Sequence, residues 1–158
     1  MFNYLLLVFF TIFTLNSCTA KNIDLLSDDS LYKLGLENTK VKVVLYKDNV
    51  EGVLNITYLN PTDPKEYDKK YNVFLTGIYL NDKNEKYNIT LNDKKNISKE
   101  LLDKNSSLYK NSSLYKNIPS FNPYSKYYIM KFEKDKSKKL IFKLNYKDSN
   151  TTIEFKTF

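Results

Sequence analysis

Leu140-Ile141-Phe142-Lys143-Leu144-Asn145-Tyr146 alternates along its length: Leu140, Phe142, Leu144 and Tyr146 share one face, while Lys143 and Asn145 point away. A period of two is the signature of a β-strand with one buried face. Lys147-Asp-Ser-Asn150 follows as a turn, and Thr151–Phe158 reads as the next strand. On the other side, Lys134-Asp-Lys-Ser137 is a second turn, joined to a strand over Tyr127–Phe132. Further upstream the same reading places strands at Val41–Tyr46, Val53–Leu59, Tyr71–Leu80 and Tyr87–Leu91. In the third of these, Val73, Leu75 and Gly77 lie opposite Phe74, Thr76 and Ile78. Asn60-Pro-Thr-Asp-Pro64 separates the second strand from the third, since proline cannot donate to a ladder.

About seven short strands with polar turns predict an all-β domain over residues 39–158, arranged as an immunoglobulin-like antiparallel β-sandwich. A small up-and-down β-barrel is the alternative. The Cys…Trp…Cys hallmark of antibody domains is missing, because the chain has one cysteine and no tryptophan. Short helices complete the prediction. Ser27 or Asp28 caps a helical turn running through Leu34 and ending at Gly35, and Ser98-Lys-Glu-Leu-Leu102 starts another with Ser98 as N-cap. The long connection Asn92–Ser125 carries a hexamer twice, as Asn105-Ser-Ser-Leu-Tyr-Lys110 and Asn111-Ser-Ser-Leu-Tyr-Lys116. Two copies of six residues are too short for a solenoid and suit a duplication in a surface loop.

Residues 1–17, MFNYLLLVFFTIFTLNS, contain no charged side chain. The apolar run is short for a membrane span, which needs ~20 residues, and has the length of a signal-peptide core. Leu15-Asn16-Ser17-Cys18 then resembles the lipobox of bacterial lipoproteins, with an aliphatic residue three before the cysteine and a small one just before it. The resemblance implies that residues 1–17 are removed as a signal peptide and that Cys18 carries lipid, including palmitate-like chains. It also implies that residues 18–38 tether the domain to a membrane. Each buried CH₂ is worth ~0.8 kcal/mol, so two or three chains hold firmly. The n-region departs from the usual pattern in having no Lys or Arg. Thr19 follows the cysteine, where family analogy places Asp in proteins kept at the Gram-negative inner membrane; the outer membrane is therefore expected. The mature part is similar in pattern to small exported lipoproteins built on immunoglobulin-like sandwiches.

The 25 basic residues are all lysine, against 18 acids, for a net charge of +7. That charge suits anionic partners, but nucleic acid is not expected: without Arg the bidentate reader of phosphate and guanine is missing. The chain has no His, which removes the commonest general base, the Ser-His-Asp and Cys-His arrangements and His metal sites. Ser-x-x-Lys occurs at Ser30, Ser107 and Ser113, without the Ser-Asp-Asn and Lys-Thr-Gly companions of penicillin-binding proteins. Asp63, Glu66 and Asp68 lack the spacing and glycine of a Ca²⁺ loop. No enzyme, metal or cofactor is predicted.

Six Asn-x-Ser/Thr sites occur, and Asn105 and Asn150 also have an acid two residues earlier, Asp103 and Asp148, a pattern some bacteria glycosylate. Tyr109, Tyr115, Tyr124 and Tyr127 are the candidate contact aromatics. The leading expectation is a membrane-anchored module that contacts a protein partner in the periplasm or at the cell surface, through an edge strand or the long loop. Binding of a glycan or small ligand, in a concave site lined by tyrosines, is the alternative.

Overall fold

Alternating apolar residues need a second layer to cover their buried face, and here that layer is another sheet. The computed structural model describes residues 30–62, 70–84, 86–102 and 122–157. Helix α1 spans Ser30–Glu37. Nine strands follow: β1 (Thr39–Tyr46), β2 (Asn49–Tyr58), β3 (Tyr71–Leu80), β4 (Tyr87–Leu91), β5 (Lys94–Lys95), β6 (Ser98–Leu101), β7 (Lys126–Glu133), β8 (Lys139–Tyr146) and β9 (Ser149–Lys156). Leu31–Phe158 form one compact unit.

The strands make two antiparallel sheets, ordered β1-β2-β3-β7-β6 and β5-β4-β8-β9, and neither closes into a barrel. All seven expected strands are present. The order β2-β3-β7-β6 is that of immunoglobulin strands A, B, E and D, and β5-β4-β8-β9 that of C′, C, F and G. β1 is an addition outside this set, hairpin-paired to the A-like strand. Lys47 and Asp48 both have positive φ, 49° and 63°, and so do Asn92 and Asp93, 47° and 63°. This is the two-residue I′ geometry whose twist matches the flanking strands, made here without glycine.

Tyr58, Phe74, Phe132, Phe142 and Phe155 fill the centre between the sheets. Phe74 stacks on Tyr58 at 4.9 Å and meets Phe142 edge-on at 5.3 Å, Phe155 at 5.4 Å and Phe132 at 5.8 Å between ring centroids. Phe74 is on the B-like strand and Phe142 on the F-like strand. An aromatic contact thus joins the two strands that antibody domains cross-link by disulfide. Each such ring pair adds ~0.5–1.5 kcal/mol to the burial of its area. The Tyr58 hydroxyl donates to Asn72 Oδ1 at 3.0 Å, and burial pushes the Tyr58 pKa up to about 12.

The larger sheet is also covered on its other face around β3 and β7, where Leu59, Val73, Leu75, Leu102, Tyr127 and Ile129 cluster. Gly77 lies opposite Tyr127 across the ladder, and a Cβ there would fall 2.5 Å from the Tyr127 ring. The tyrosine lies over a glycine that leaves room for it.

Two expectations are corrected. Ser98–Leu101 is strand β6, paired with β7, and does not begin a helix. The unpaired edge of β7 offers a ladder whose hydrogen bonds outweigh a weak local helix preference. α1 does not stop at Gly35 but continues to Glu37. Asn38 ends it: both its backbone N–H (3.2 Å) and its Nδ2 (2.9 Å) donate to Leu34 O. Thr39 Oγ1 donates to Gly35 O at 2.6 Å. The Ser27 and Asp28 caps lie outside the described residues.

Candidate functional site

The chain leaves β3 in one sheet at Leu80 and enters β4 in the other at Tyr87, and a cleft opens at that corner. Its volume is about 170 Å³. Tyr87, Tyr124 and Tyr128 wall it with Ile78 and Leu80, and Tyr79 also lines it from a β3 position of opposite parity to Ile78 and Leu80. Asp82, Lys83 and Lys126 supply its charges.

Strand parity explains the assembly. Tyr127 and Tyr128 are adjacent on β7 and must point to opposite faces. Tyr128 takes the inner face and reaches the cleft. Tyr127 takes the outer face and is 3 % exposed, so it is not part of an exposed aromatic patch. Tyr124, 78 % exposed, is in the cleft lining as well as at the surface. The two are linked: Asn122 N–H donates to Tyr127 Oη at 2.7 Å, and Asn122 Oδ1 accepts from Tyr124 N–H at 2.9 Å. The buried tyrosine holds the turn that presents the exposed one.

Lys99 of β6 adds a cation beside the cleft. Its ammonium lies 4.4 Å from the Tyr87 ring centroid and 4.2 Å from that of Tyr128, and it donates to Tyr87 Oη at 2.8 Å. Desolvation by burial lowers the Lys99 pKa, against an opposing pull from Tyr128. Burial raises the Tyr128 pKa, and the hydrogen bond with Tyr87 adds to the rise. Such cation–ring contacts are worth ~0.5–1 kcal/mol at exposed sites and more when desolvated.

The second feature is the β1 edge. Val41, Val43 and Leu45 alternate along it and are 59, 44 and 48 % exposed. Leu36 of α1 and Val50 of β2 are exposed as well. Lys40 and Lys42, of opposite parity, reach to the other sheet and donate to Glu154 O (2.6 Å) and Thr152 O (3.2 Å) of β9. Ser149 Oγ of β9 donates back to Leu45 O at 2.7 Å, so the edges of β1 and β9 cover each other while the apolar face of β1 stays exposed.

Of the other expected site residues, Asn150 is exposed on β9, just past the β8–β9 turn. Cys18, Asn105, Tyr109, Tyr115 and the carboxylates Asp63, Glu66 and Asp68 lie outside the described residues. Tyr79, Tyr87, Tyr128, Lys99 and Asp82 were not anticipated. The signal for Tyr128 was its place beside Tyr127, while Tyr79 and Tyr87 flank the turn between two recognised strands. Among the described residues no group of His, Cys, Asp and Glu is placed to hold a metal ion, and no helix is long and apolar enough to cross a membrane. Comparison with family models, with curated proteins and with solved structures finds no match for this chain.

Proposed function

We propose that the chain is a non-enzymatic binding module, held on a membrane by lipid on Cys18, that contacts a protein partner through the exposed apolar face of β1. The exposed alternation of Val41, Val43 and Leu45 on an edge strand carries this reading. A row of exposed apolar side chains on a surface otherwise rich in lysine marks a protein interaction site, and Leu36 and Val50 extend it. The sheet edges themselves are blunted. β5 is two lysines long, β6 has four residues including Lys99 and Glu100, and β9 is covered by Lys40 and Lys42. The partner would bring apolar side chains onto Val41, Val43 and Leu45. The hydrophobic run of residues 1–17 and the Leu-Asn-Ser-Cys18 sequence support the anchor, with the module in the periplasm or at the cell surface. Asn150 is accessible for glycan attachment.

The test is site-specific photo-crosslinking in intact membranes. A photoreactive residue in place of Val43 is expected to capture a discrete protein adduct, and one in place of exposed Lys94 on β5 is not. Absence of an adduct at 43, or the same bands from both positions, sinks the proposal.

A further inference from the structure

We propose that the tyrosine-walled cleft at the β3–β4 corner binds one ring of an acidic saccharide, a uronate, independently of the β1 edge. Its size sets the ligand: about 170 Å³ is well below the ~300–1,000 Å³ of drug-sized pockets and suits a single ring. Its walls set the ligand's faces. Tyrosine rings offer flat apolar surface to the C–H face of a sugar, and the Asn122 hydrogen bonds fix the turn that carries Tyr124.

Its charges set the substituent. Lys83 and Lys126 line the cleft and have no acidic partner among the described residues. Tyr87 Oη accepts from the Lys99 ammonium and shares a hydrogen bond with the Tyr128 hydroxyl, so one proton of this hydroxyl pair is left to donate to a ligand oxygen. Three donors of this kind favour a carboxylate. The one carboxylate in the lining, Asp82, accepts from Asn84 N–H through Oδ1 at 3.0 Å, which leaves its other oxygen to accept from a ring hydroxyl. A neutral sugar would use the rings and Asp82 alone. A uronate uses the lysines as well.

D-glucuronate and D-glucose differ in the group at C6 and make the direct test. The full chain, purified from membranes in detergent, is titrated with each. The absence of Trp makes its intrinsic fluorescence a tyrosine signal. Saturable binding is expected, with glucuronate about tenfold tighter than glucose, the effect of one charge-assisted hydrogen bond. Lys126→Met is expected to remove much of that preference, weakening glucuronate more than glucose. Tyr124→Ala, at an exposed position that folding does not depend on, is expected to weaken both sugars about tenfold. Val43→Lys on the β1 edge is expected to change neither. No saturable response to glucuronate, equal affinity for the two sugars, or an unchanged preference in Lys126→Met overturns the proposal.

Discussion

Asn92 ties together segments that lie far apart in sequence. Its Oδ1 accepts from Ile141 N–H at 2.7 Å, and its Nδ2 lies 3.0 Å from Asp135 Oδ2, 2.9 Å from Ser137 Oγ and 3.3 Å from Lys139 O. The β4–β5 turn is thereby fastened to the β7–β8 turn and the start of β8. Asp135 also accepts from Ser137 N–H at 2.9 Å. The Asn92 and Ser137 hydrogen bonds hold the Asp135 carboxyl at about 2, below its ordinary value of 3.8. A folded pKa below the unfolded one gives stability that is present above pH ~4 and lost as pH falls through ~2. Asp135→Asn is therefore expected to be less stable than wild type near neutral pH by about 1 kcal/mol or less, since the carboxylate stays largely in water. That gap should close near pH ~2, as read from urea midpoints; a gap independent of pH would refute the assignment. None of this network was legible in the sequence, because a turn residue's distant partners depend on which turns the sheets bring together. The tyrosines show the same limit in milder form. Parity alone requires Tyr127 and Tyr128 to face opposite ways, but choosing the inward one needs the register of β7 on β3.

The strong alternators were legible as elements: β3 and β8 were recognised with bounds within a residue of those observed, because their patterns agree with their burial. The elements missed or mistaken are β5, β6 and the end of α1, all short and polar. A four-residue strand such as β6 has no burial alternation to read, since all four residues are exposed. It exists because β7 has an edge to fill. For α1, glycine was read as a terminus, yet Gly35 is internal and Asn38 and Thr39 supply the stop. Among the described residues nothing lies within 4 Å of where a Gly35 Cβ would be, and its φ is not positive. Gly35→Ala is thus expected to stabilise the domain by about 0.5–1 kcal/mol through lower unfolded-chain entropy and better helix propensity. Chemical denaturation checks this, and a destabilised variant would mean that the helix packs more closely than described.

At the scale of the whole molecule, the binding reading depends on where edges and corners fall. The added strand β1 displaces the A-like strand from the sheet edge and brings an apolar face to the surface, while the crossing from β3 to β4 opens the tyrosine cleft. The proposed membrane anchor is a separate matter, resting on the sequence of residues 1–18. Intact mass of protein from its own membranes should equal residues 18–158 plus acyl chains, with hexose-like increments if Asn105 or Asn150 is glycosylated. A mass equal to the full 158-residue chain would remove Cys18 as a lipidation site. Alternation and turn chemistry specify the all-β class, seven of the strands and the composition of the core, because side-chain period and loop polarity are local properties of the chain. Sheet order, the extra edge strand and the meeting of Tyr87, Tyr124 and Tyr128 depend on long-range pairing. Which strands become neighbours is settled by the mutual burial of faces that no single segment encodes.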